Sequence, residues 1–167
     1  MTRTSLAIYL VVMFGLLVGL AYAAWRRKQR MQESQFSEPL EALEFFGELL
    51  TSAKIQYVAT TFAGNALERI NAYGLGHRGF GQLLVFTEGA LIVRNGERPL
   101  ALDRRQLLSV SKTQTVIDKS VEPNGLLSIS WLQDNVELAS HLRLVDSNAT
   151  GSVIKSFESI ITREASK

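Results

Sequence analysis

The residues best suited to chemistry lie in one run, Gly74-Leu75-Gly76-His77-Arg78-Gly79, which spells GxGxxG. That spacing cradles a pyrophosphate only when a strand leads into it and a helix follows. Here Gly79-Phe80-Gly81 continues into the strand-like residues 82–87, so no helix N-terminus is available for a phosphate. Glycine there suits a long loop between two strands that needs positive φ. His77 and Arg78 are the loop's only groups for an anionic headgroup, and a phosphoinositide pocket wants several cations. A second basic pair, Arg104-Arg105, follows Asp103 in a turn. It reads as an exposed pair partly offset by that acid, or as a contact for phosphate or acidic peptide.

No constellation for catalysis stands beside these. The chain has 2 histidines and no cysteine, which excludes disulfides, thiolate zinc sites and a cysteine nucleophile. His77 and His141 are far apart in sequence, with no metal-ligand spacing. No serine lies in a G-x-S-x-G frame. Trp131 in SISWL reads as a core or rim aromatic. Asn148-Ala149-Thr150 matches a glycosylation sequon that a cytoplasmic domain would not use. The expectation is a non-enzyme without cofactor or metal.

The charges that surround these residues divide sharply. The 167-residue chain has 18 Lys+Arg and 16 Asp+Glu, a formal +2. Five cations and no acid lie within residues 1–30: Arg3, Arg26, Arg27, Lys28 and Arg30. The remaining 13 cations face all 16 acids, a net of −3 for everything after Arg30. Nucleic-acid binding needs excess positive charge on the folded part, so this arrangement argues against it.

The elements that position these residues follow from periodicity. Residues 5–25, SLAIYLVVMFGLLVGLAYAAW, carry no charge, and as a helix cover about 30 Å, a bilayer's hydrocarbon thickness. Ala21-Tyr22-Ala23 resembles a signal-peptide cleavage site, but the apolar run is long and the basic cluster follows at once. An uncleaved single-pass anchor is expected, with Arg26, Arg27, Lys28 and Arg30 as the topology signal. They hold the C-terminal part on the cytoplasmic side of the cell membrane, with the N-terminus outside. Gly15 and Gly19 make a lone GxxxG, a weak helix-contact signal.

After residues 26–36, a capped amphipathic helix is expected from Ser37 to Leu50. Leu40, Leu43, Phe46 and Leu50 form its apolar stripe, and Glu41, Glu44 and Glu48 an acidic one. The acidic edge is either solvated or docks on a basic partner. Residues 26–53 thus form a juxtamembrane segment. From residue 54 the period changes to two. Runs at 55–62, 82–87, 90–94, 99–102, 107–116, 126–132 and 136–144 read as about seven antiparallel strands. Their separators carry turn residues: Glu88-Gly89, Asn95-Gly96, Pro123-Asn124-Gly125 and Asp134-Asn135. Beyond an Asp146 or Ser147 cap, Val153, Ile154, Phe157, Ile160 and Ile161 mark one face of a closing helix. Residues 54–165 form the folded domain, mainly β with a C-terminal helix that plugs a bent barrel.

Particular phrases carry a resemblance. Tyr57-Val58-Ala59-Thr60-Thr61, Leu67-Glu68-Arg69-Ile70 and the Gly74–Gly79 run come first. Val121-Glu122-Pro123-Asn124-Gly125-Leu126 and Ser130-Trp131 follow in order. Together they resemble the PH-like (pleckstrin-homology-type) domain of small single-pass membrane proteins common in actinobacteria, over about residues 54–162. The resemblance implies a bent barrel and a binding module, with no catalytic residues to carry over. The leading expectation is a scaffold or accessory subunit that binds a protein or peptide near the membrane. The rival is sensing of anionic headgroups by His77 and Arg78.

Overall fold

An unbroken helix, α1 (Arg3–Glu33), opens the computed structural model, which describes residues 3–113, 115, 116, 119, 120 and 125–165. Its most apolar window has a mean hydropathy of 2.4 and is uncovered by the rest of the protein. It is therefore long and apolar enough to cross a membrane. The apolar residues 5–25 lie inside it, and the basic cluster occupies its C-terminal turns, where the helix dipole favours cations.

The acidic amphipathic helix expected after it does not form. Residues 34–48 are instead an irregular strap laid along a sheet edge. The Leu40 carbonyl accepts from the Ala101 N–H at 2.8 Å, and the Phe46 and Glu48 carbonyls accept from Glu88 and Thr87. Those bonds use backbone groups that a helix would have needed. Gly47 sits at φ 75°, which no helix interior tolerates. The burial of Phe36, Pro39 and Leu43 against the domain outweighs the segment's helical pattern.

Among the described residues the domain has ten strands: β1 (Leu49–Phe62), β2 (Asn65–Arg69), β3 (Gly79–Phe86), β4 (Gly89–Arg94) and β5 (Leu100–Asp103). After a 3₁₀ turn come β6 (Leu107–Thr113), β7 (Thr115–Val116), β8 (Lys119–Ser120), β9 (Leu126–Gln133) and β10 (Val136–Leu144). Eight of them form one antiparallel sheet in the order β5-β4-β3-β1-β10-β9-β6, with β2 also on β1. β7 and β8 pair separately. The expected turn at Pro123 and Asn124 lies outside the described residues, as does the Val121–Asn124 part of the resemblance. Asp134 and Asn135 both take positive φ, as a tight hairpin requires.

Strand β1 is long because it serves two halves. Its first part pairs with β3 (Leu49↔Phe86 to Tyr57↔Gly79) and its second with β10 (Ile55↔Leu144 to Phe62↔Leu138). A register shift between Tyr57 and Ala59 bends it where the halves meet. The sheet bends as the expected bent barrel does and stays open along one seam. Its edge strands β5 and β6 are joined by the turn Arg104–Gln106, without a ladder between them. That turn is a capping box: Asp103 accepts from the Arg105 N–H, and the Gln106 side chain accepts from the Asp103 N–H. Helix α2 (Thr150–Ala165) packs against β6, β1 and this turn, burying Val153, Phe157 and Ile160. The expected apolar face is the one that is buried, with Ile154 and Ile161 packed at its margin.

Within the core runs a chain of polar side chains whose donor directions can be fixed. Tyr57 Oη donates to the Leu75 carbonyl at 3.0 Å, so its lone pair accepts from Thr60 Oγ1. Thr60 must then accept from Ser140 Oγ at 2.8 Å, and Ser140 from Trp131 Nε1 at 3.0 Å. Each hydroxyl gives one proton and takes one, so a fully buried polar row has no orphan. Burial holds the Tyr57 phenol above its usual pKa.

Candidate functional site

Helix α1 does not end in a flexible linker. Gln32, 2% exposed, accepts from the Asn71 N–H at 2.8 Å and donates to the Arg69 carbonyl at 3.1 Å. Tyr73 Oη donates to the Glu33 and Phe36 carbonyls, and the Phe36 ring packs edge-on to Tyr73 at 5.7 Å. One residue on, Asp134 accepts from the Ser37 N–H at 2.6 Å, and the Ser37 hydroxyl together with that N–H holds its carboxyl below the usual range. The joint fixes the domain to the last turn of the helix. Of the four topology cations, Lys28 turns to the domain and meets Glu68 at 3.8 Å, while the Arg26 guanidinium lies 5.9 Å from the Tyr22 ring centre.

The basic residues of the loop and turn are not brought together. His77 Nδ1 lies 2.7 Å from Glu97 Oε1, so a carboxylate already occupies it. Arg78, beside it, is exposed. Arg104 and Arg105 lie at the other end of β4, where Arg104 meets Glu88 at 3.7 Å and Arg105 is exposed. A six-residue strand, about 20 Å, separates the pairs. The nearby Arg94 is structural: 4% exposed, it donates to the Gly74 and Arg98 carbonyls and lies 4.8 Å over the Tyr57 ring. His141, 4% exposed, bonds Thr61 through Nε2, and burial lowers its pKa to about 4. Among the described residues no cluster of metal-binding side chains occurs.

The acidic residues divide as well. Glu41, with Glu38, accepts from Arg98 Nη1 at 3.0 and 2.9 Å. Glu44 and Glu48 stay exposed on the strap, flanking Phe45. Phe45 is 73% exposed.

A surface that motif reading misses lies on the outer face of β3 and β4, beside the polar outward residues Ser52, Lys54 and Gln56 of β1 and Arg143 of β10. Leu83, Val85, Ala90 and Ile92 point inward and are fully buried. The alternate residues Leu84, Phe86, Leu91 and Val93 are apolar too, and only partly covered. A sheet with one solvated face alternates apolar with polar, so two apolar faces mark a surface that something covers. At one end Phe80 and Val145 stand 61% and 63% exposed. They are shared walls of two adjoining hollows of about 350 and 380 Å³. Arg143 and Gln56 line the first and Lys54 and Gln82 the second, and neither has a carboxylate in its wall. At the other end the Phe46 ring stacks on Phe86 at 4.9 Å. The signal was present in the sequence as the unbroken apolar runs Leu83–Phe86 and Ala90–Val93.

The family model described as Bacterial PH domain-like matches residues 39–158. No curated protein matches the chain significantly. Among solved structures, one titled "The 8S snRNP Assembly Intermediate" is similar with a TM-score of 0.49 and 9% identity, over 75% of this chain and 89% of that one. Two structures of the Vav1 exchange factor are similar at TM-scores of 0.45 and 0.46, each at 10% identity over 81% of this chain. One concerns its PH and C1 domains and the other an allosteric inhibitor; the chain spans about a third of each. The functions in those titles say nothing about this protein.

Proposed function

Because this chain belongs to the Bacterial PH domain-like family, we propose that it is a membrane-anchored, non-enzymatic interaction module, holding a protein at the cytoplasmic face of the membrane. The apolar helix supplies residence in the bilayer, and Arg26, Arg27, Lys28 and Arg30 set the domain on the cytoplasmic side. The single observation that carries the reading is the outer face of β3 and β4, where Leu84, Phe86, Leu91 and Val93 are apolar at positions a solvated sheet would make polar. The joint at Gln32 and Tyr73 supports it, because it fixes how that face is presented. Anchoring confines the domain to partners near the bilayer and raises their effective concentration. A scaffold or accessory subunit of a membrane complex works in that way.

Sensing of anionic headgroups through His77 and Arg78 has less behind it. Arg78 is exposed, but His77 is engaged by Glu97, and Arg104 and Arg105 lie at the far end of β4. The test uses a photo-crosslinking amino acid placed at Phe80 in the full chain, in cells, with the same group at exposed Glu158 on α2 as control. Protein adducts from position 80 above those from 158 support the reading. No protein adduct at position 80, or adducts to lipid alone, overturns it.

A further inference from the structure

The outer sheet face has poles. At the Phe80 end stand Lys54 and Arg143, and at the Phe86 end Glu48 and Glu44. Glu48 is held there by its main-chain bonds with Thr87, and exposed Glu44 lies two residues before Phe46, whose ring stacks on Phe86. None of these four side chains forms an ion pair with a described residue. The poles lie six residues of β3 apart, about 20 Å. The shape is as uneven as the charge. Phe45 projects at the acidic pole, while the hollows flanking Phe80 open at the basic one.

A surface with a cationic hollow at one end and an anionic knob at the other is complementary to itself after a half-turn. Such a half-turn is the relation that a two-fold dimer uses. We infer that a second copy of this chain covers the outer sheet face, each copy seating its Phe45 in the hollows beside the other's Phe80 and Val145. Glu44 and Glu48 of each then meet Lys54 and Arg143 of the other, twice over by symmetry. A partner of unrelated sequence would need this same polarity reversed, and the chain already carries it. The face is about four strands by six residues, roughly 400 Å² per copy, which is less than a lasting contact in free solution needs. Two copies anchored in one bilayer meet at high effective concentration, which a contact of that size requires. This inference rests on the reading of the outer face as a protein-docking surface and names its occupant.

The absence of cysteine makes the test clean. The full chain carrying Phe45→Cys under one tag is co-expressed with the full chain carrying Val145→Cys under another, and membranes are oxidised. A disulfide between the two tags is expected, with little between two Phe45→Cys copies, whose cysteines the two-fold holds far apart. Lys54→Glu or Glu48→Lys alone should lower the yield about tenfold, from two lost and two repulsive pairs per dimer. The double variant, with polarity exchanged, should restore it, which no folding defect would do. Absence of the mixed disulfide in correctly folded protein overturns the inference, as does equal yield from Phe45→Cys with itself. If position 80 still crosslinks a different protein, the docking face stands and only its occupant is wrong. If position 80 crosslinks no protein either, both readings fall.

Discussion

Replacing Gln32 by methionine should loosen the joint between helix and domain while keeping the packing. Methionine has nearly the same length and fills the same buried site, so only the two hydrogen bonds to Asn71 and Arg69 are lost. Each such bond contributes about 1 kcal/mol net, and the orphaned Asn71 N–H adds to the loss. The docked state should weaken by about 2 kcal/mol, roughly a 30-fold shift toward the undocked one. Hydrogen exchange on the full chain in lipid nanodiscs reads this directly. The Asn71 amide, which loses its Gln32 acceptor even in the docked state, should exchange at least about 30-fold faster. The Ala59–Phe62 ladder with β10 should be unchanged, because it is made within the domain. Wild-type protection at Asn71 in the variant would refute the joint. Faster exchange throughout the domain would show a general loss of stability instead.

Four further outcomes are expected. Ser140→Ala removes the only acceptor of the Trp131 indole and the donor to Thr60, so urea unfolding should show a loss of about 2–3 kcal/mol. Tyr57→Phe should cost less, because the Leu75 carbonyl keeps its bond from the Thr60 N–H. His141 titrates near 6.5 when unfolded but is held at about 4 when folded, so the unfolded chain binds the proton first. Its contribution is intact above pH 6.5 and falls by about 3 kcal/mol on acidification toward pH 4. The unfolding midpoint of His141→Gln should therefore fall less steeply than wild type over that window. Arg98→Ala breaks contacts with Glu38 and Glu41 that are all more than half solvent-exposed or nearly so, and should cost under about 1 kcal/mol by thermal unfolding.

The strands and closing helix were legible because each follows a local period. Val153, Phe157 and Ile160 recur at helical spacing and bury at that spacing. The strap was not legible, because Leu40, Leu43 and Phe46 satisfy the helical period equally well. What decides them is an edge strand sixty residues away, through the Leu40–Ala101 bond. The GxGxxG spacing was legible as no pyrophosphate cradle, since Gly79 enters β3 rather than a helix. That His77 would be spent on Glu97 could not be seen, because the two meet only through the β4–β5 connection. The outer face was half legible. Unbroken apolar runs in β3 and β4 announce two covered faces, but the convergence of Lys54, Phe80, Arg143 and Val145 needs the register of three strands.

Strand β1 also sets a timetable. The ribosome releases its residues early, and β3, β4 and β5 follow soon enough to pair with its first half. The second half has its partner β10 only after about 70 more residues, roughly 4–15 s at ordinary elongation rates. Through that interval the β10-facing edge of Ala59–Phe62 has no native partner. Stop codons anywhere before Val136 should therefore yield no stable half-domain. They leave a strand edge open to mispairing, and such products should be cleared by proteolysis rather than accumulate.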